Sequence, residues 1–185
     1  MTTTAVISIF CKDRPGVFAD LTDTLAFMGA NLHDMSASQL GEGVILIGVS
    51  VWSREVPVDE IERRIRELPG LDDAQVHINA YPYRDYTTEL VTHVVRLSTV
   101  VDKPGDLAAL CAVFAEYRAN LMRAHARRLL TDKGWEYRIV MEATVPRLAA
   151  TSCMAGLEYT AQRLGYDCDW EIRGAEEEND MGTEV

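Results

Sequence analysis

The chain has 185 residues, of which 48% are hydrophobic and 25% charged, the proportions of an ordinary soluble globular protein. Its formal net charge of −11 argues against direct contact with nucleic acid, where affinity rests on Lys and Arg against phosphates. No apolar run approaches the ~20 residues of a membrane span, and Met1-Thr2-Thr3-Thr4 starts nothing like a signal peptide, so a cytoplasmic location is expected.

Residues 5–11 are apolar and rich in β-branched side chains, which predicts a strand. Asp13-Arg14-Pro15-Gly16-Val17 follows, and then Val17, Leu21, Leu25 and Met28 recur at helical spacing. Pro15 has no N–H to lose and suits a helix entry. Gly16, without a Cβ, leaves room for another molecule to approach the backbone. Gly29 ends the helix as a left-handed residue, and a second strand is predicted over 31–39. Leu40-Gly41-Glu42-Gly43 reads as a hairpin loop, and the nearly apolar 44–52 as a central strand. Val58, Ile61, Ile65 and Leu68 mark a second helix between Pro57 and Pro69-Gly70, and 74–81 is the closing strand. In 5–11, Val6 and Phe10 oppose Ile7, Ile9 and Cys11, so both faces are apolar, and the second repeat or another subunit is expected to cover the outer one.

The same order returns. Asp102-Lys103-Pro104-Gly105-Asp106-Leu107 leads into Ala119-Asn120-Leu121, at a constant offset of 89 residues from Asp13 and from Asn31. Strands are predicted over 90–101, 120–129, 135–145 and 167–173, with helices carrying Leu107, Leu110 and Phe114, and spanning 148–164 up to Gly165. A repeat of this length means two whole domains. The division is 1–82 for the first and 90–173 for the second, with a tyrosine-bearing linker at 83–89. An acidic tail, 174–185, carries five acids and no base and is expected to be disordered. The fold class is α+β: each βαββαβ unit forms a ferredoxin-like antiparallel sheet with both helices on one face.

The turn has chemistry suited to an amino acid. Amides of Gly16, Val17 and Phe18 at a helix start attract a carboxylate. Asp13 offers an anion to an ammonium group, and the Asn31 amide can donate and accept. Asp106 replaces an apolar residue just after Gly105 and competes with an incoming carboxylate, which ranks the second site below the first. Asp13 as a helix cap, with Asn31 bonded to neighbouring backbone, is an equally sufficient structural reading. A Gly16→Val change is expected to abolish amino-acid binding and spare the fold.

The Asp-Arg-Pro-Gly turn, the Asn that opens the second strand and the βαββαβ order resemble the ACT domain, a small-molecule-sensing regulatory module. The resemblance covers nearly the whole chain as two copies. The tandem length, the acidic tail and Asn31-Leu32-His33-Asp34 with Leu40-Gly41-Glu42 are similar to the glycine cleavage system transcriptional repressor family. That resemblance implies a non-enzymatic regulator without DNA contact, working through a protein partner. It implies a small amino acid of the glycine or serine class as ligand, held where two copies meet, and a homodimer. Similarity to ACT domains that sense serine puts Asp13 and Asn31 at ligand-contacting positions; Pro15, Gly16, Val17 and Phe18 of the turn complete the candidate site, with Asp102, Gly105 and Asn120 as counterparts in the second repeat. Cys11 stands where serine-sensing ACT domains carry a polar side chain.

Two other readings compete. One is an interaction module with no ligand. The other is a regulatory piece related to formyltetrahydrofolate deformylase, whose catalytic half is missing here. No nucleophile turn is recognisable, and no cofactor is expected. His33, His77, His93 and His125 lack metal spacing. Cys11, Cys111, Cys153 and Cys168 form no Cys-x-x-Cys pair and are expected as buried thiols, although Lys12 beside Cys11 could lower its pKa. Arg118, Arg123, Arg127 and Arg128 make one basic concentration, with Arg123, His125 and Arg127 on a shared strand face.

Overall fold

Alternation along the first strand decides which way its sheet faces. In a computed structural model, which describes residues 3–52, 56–82, 90–132 and 134–173, Ala5, Ile7, Ile9 and Cys11 of β1 (Thr3–Lys12) are buried, and Val6, Ser8 and Phe10 turn to the other side. The chain then makes α1 (Val17–Phe27), β2 (Ala30–Leu40), β3 (Gly43–Trp52), α2 (Val58–Arg66) and β4 (Gln75–Ala80). The sheet order is β2-β3-β1-β4 with every neighbour antiparallel. Val17, Leu21 and Leu25 of α1 and Ile61 and Ile65 of α2 share one buried cluster with Ile7, Ile9 and Leu46, so both helices cover the same face. Val58 lies outside this stripe and is exposed.

The second unit repeats the plan with β5 (His93–Thr99), α3 (Asp106–Glu116), β6 (Asn120–Thr131), β7 (Gly134–Thr144), α4 (Ala150–Leu164) and β8 (Asp167–Ile172). Its order is β6-β7-β5-β8, again antiparallel. Leu110, Val113 and Phe114 of α3 pack with Cys153, Leu157 and Ala161 of α4 on Val95, Leu97, Ile139 and Met141. Contacts divide the chain into two compact units, Met1–Tyr86 and Thr87–Val185.

Some boundaries move. β5 is shorter than the predicted 90–101, because Val100 and Val101 are exposed and already belong to the turn. α4 begins at Ala150 rather than Leu148: the Ala149 amide donates to the Pro146 carbonyl at 2.8 Å in a tight turn, and Leu148 is left fully exposed. The expected linker at 83–89 and tail at 174–185 lie outside the described residues.

The helix-free faces of the two sheets differ. On the first, β1 contributes Val6 and Phe10, and β3 contributes Ile45, Ile47, Val49 and Val51, with Ile47 43% exposed. On the second, Arg96 bonds Glu171 at 2.6 Å, Arg123 bonds Glu142 at 2.7 Å and Arg138 bonds Glu136 at 2.7 Å. The backbone plan is one; the outward chemistry is two.

Candidate functional site

α1 starts from Gly16, which sits in the left-handed region (φ 84, ψ −1) and gives the helix no side-chain cap. Proline before it and a left-handed glycine after that proline reverse the chain in a tight turn. The Val17 amide donates back to Arg14 O at 3.2 Å, and Asp20 N donates to Gly16 O at 3.0 Å. Between them, the Phe18 and Ala19 amides have no acceptor among the described residues. A Cβ placed on Gly16 would meet nothing within 4 Å, so the turn is open. Unpaired amides at a helix start, aided by the helix dipole, form an anion-binding position.

Asp13 does not cap this helix. Its carboxylate accepts from Gln39 Nε2 at 3.1 Å, and its own N–H donates to the Glu42 carbonyl at 3.2 Å. Both bonds tie it to the β2–β3 hairpin and leave the helix amides alone. Arg14 pins the other side: Nη2 meets Asp20 Oδ2 at 2.6 Å, and Nε donates to Pro69 O at 2.9 Å. Val17 is buried, Phe18 half-buried against the core and Pro15 exposed, so Val17 can offer a ligand only its backbone. Cys11 is buried, and burial pushes its thiol above the ordinary range, with Asp13 and Asp73 adding to the rise and Arg14 opposing it. The thiolate-favouring effect of Lys12 does not prevail.

Asn31 is not part of this cluster. It pairs with Val51, which also pairs through β1 with Thr4, while the Asp13 turn lies where Lys12 and Leu40 meet Gly43. Eight residues of β3 separate the two ends, roughly 26 Å at strand rise. Within one unit, Asp13 and Asn31 cannot hold the same small molecule.

The second turn has the same backbone, with Gly105 at φ 99, Asp106 N donating to Lys103 O at 3.1 Å and Ala109 N to Gly105 O at 2.9 Å. Asp106 is 6% exposed, and its Oδ2 accepts from Lys103 N at 2.9 Å. Nearby Tyr166 is 5% exposed and its hydroxyl is buried without a hydrogen-bond partner of normal geometry. Burial, and then the Asp106 and Asp102 carboxylates, push that hydroxyl up to about 12; a weak contact with Asp106 is the smallest contribution. Asp102 is exposed, and Asn120 lies at the far end of its sheet opposite Thr144.

Gln39, Tyr166 and the Arg14–Pro69 tether were absent from the residues singled out by sequence. Gln39 carried one usable signal, its place at the mouth of the hairpin loop. In the basic concentration, Arg123, His125 and Arg127 share the outer face as expected, facing Glu142, Val140 and Arg138, while Arg128 stacks over Trp135 at 5.4 Å.

Two βαββαβ units, each with a left-handed glycine turn between its first strand and first helix, define a tandem of ferredoxin-like units. The ACT domain family model matches residues 5–70, so the first unit carries an ACT domain. The fold is shared with an uncharacterised protein from Galdieria sulphuraria at TM-score 0.67 and 20% identity, covering 94% of this chain and 100% of that one. It is shared also with a protein provisionally described as a glycine cleavage system transcriptional repressor, at TM-score 0.63 and 16% identity, covering 94% and 98%. No curated protein matches the sequence.

Proposed function

We propose that the chain is a non-enzymatic regulatory protein that binds a small amino acid, of the glycine or serine class, at the Gly16 turn. The observation that carries this reading is the pair of unpaired amides at Phe18 and Ala19 beyond an open left-handed glycine, with the Asp13 carboxylate held in the same turn by Gln39. The amides suit the ligand carboxylate, and Asp13 suits its ammonium group. Asp13 is free for that role because it does not cap the helix. The match of residues 5–70 to the ACT domain supports a regulatory role. Regulation of glycine cleavage through a protein partner, by a homodimer, extends the likeness to the provisionally described repressor, and the net charge of −11 favours a protein partner over DNA.

Calorimetry of the full chain with glycine and with L-serine tests the reading. Binding at millimolar concentration or below is expected, with Asp13→Ala weakening it at least tenfold. No heat with either amino acid removes the reading in favour of a module that binds only protein. Binding unaffected by Asp13→Ala places the pocket elsewhere.

A further inference from the structure

We propose that Asp106 closes the second glycine turn to ligand, so that each chain has one amino-acid site and not two. It rests on the reading of the Gly16 turn only for the kind of ligand such a turn takes.

The two turns match residue for residue at the offset of 89, and Val17 stands where the second unit has Asp106. Val17 is 1% exposed and brings no charge. Asp106 is nearly as buried but carries a carboxylate inside the turn, fastened to the Lys103 amide at 2.9 Å. Asp102 adds a second acid three residues before Gly105. A ligand carboxylate approaching the Leu107 and Ala108 amides, which have no acceptor among the described residues, therefore meets an anion already in place. Burial strengthens that repulsion, because little water is left to screen it.

The Tyr166 hydroxyl is an independent sign that this place has spare binding capacity. A buried hydroxyl without a partner carries a desolvation penalty that any acceptor would relieve. The Asp106 and Asp102 carboxylates of the protein itself act on it electrostatically. With the Asp106 charge removed, the turn would offer the Leu107 and Ala108 amides to an incoming carboxylate.

The test is stoichiometry. Glycine and L-serine are titrated into the full-length wild type, Asp106→Val and Asp106→Asn. Asp106→Val gives the second turn the residue of the first. Asp106→Asn keeps an oxygen for the Lys103 amide and removes only the charge, so it decides the matter if the valine variant does not fold. Each folded variant is expected to bind one equivalent more than the wild type, and adding Gly105→Val to remove that extra equivalent. A wild type that binds two equivalents, or a folded asparagine variant that gains none, overturns the proposal. A wild type that binds none while the variant binds one refutes the reading of the Gly16 turn and leaves this one standing.

Discussion

The Gly16 and Gly105 turns have the same backbone, with φ of 84 and 99, an uncapped helix start and paired amide donations on either side. They differ in one buried position, Val17 against Asp106, and in what anchors the loop. In the first turn the acid, Asp13, is held outward by Gln39, and Arg14 bridges Asp20 and Pro69. In the second, the counterpart of that acid, Asp102, is exposed, and the additional acid, Asp106, folds inward and binds its own loop. Duplication therefore preserved the element that needs a special backbone conformation and let the side chains around it diverge. The sheets repeat that lesson: the helix-covered faces are alike, while the open faces carry aliphatic side chains in one unit and ion pairs in the other.

If the shared part is the core, equivalent truncations there must cost the same in both units. Leu21 and Leu110 are both 0% exposed and occupy the same helix position. Leu21→Ala and Leu110→Ala are each expected to lose about 3 kcal/mol, from transfer and cavity terms together. Urea denaturation of the full chain reads the two values. A loss under about 1 kcal/mol for one of them would mean its unit relaxes around the cavity, breaking the equivalence.

A smaller effect separates backbone from ligand. At both glycines an added Cβ meets nothing within 4 Å, so the cost of alanine is conformational alone, about 1–2 kcal/mol for a left-handed residue. Gly16→Ala and Gly105→Ala should lower stability equally in urea, but only Gly16→Ala should diminish the heat of glycine binding. Equal binding losses would make the turns functionally alike. The positive φ also changes the expectation for Gly16→Val, which strains the fold as well as the site.

Much of this was legible in the chain. The stripe Val17, Leu21, Leu25, Met28 is buried throughout, because helical period and core-facing side are the same fact. Gly29 and Gly165 end their helices with φ of 89 and 83, a conformation few other residues accept. Asp13 and Asn31 lie at opposite ends of one sheet for a topological reason: a helix that returns across the sheet starts β2 at the end where β1 began, away from the turn. Gln39 carried only its place at the hairpin mouth, because its bond to Asp13 is set by strand register, and Tyr166 carried no local signal, because it lies in a loop distant in sequence from its turn.

The smallest test moves one anchor from the second turn into the first. Lys103 stands where the first unit has Arg14, whose guanidinium serves Asp20 and Pro69 at once because its donors are fixed in a planar fork. Arg14→Lys keeps the charge and one partner but cannot span both. The Asp20 pair is half exposed and contributes little by itself, so the loss is essentially the Pro69 bond. That is about 0.5–1 kcal/mol, visible as a small shift of the urea midpoint at unchanged slope. Glycine affinity should fall less than with Asp13→Ala, because the lysine variant loosens the frame of the turn and leaves its amides and carboxylate in place. A larger loss of affinity than of stability would make Arg14 a ligand contact, and would turn the Arg-to-Lys difference into a second reason why the Gly105 turn stays empty.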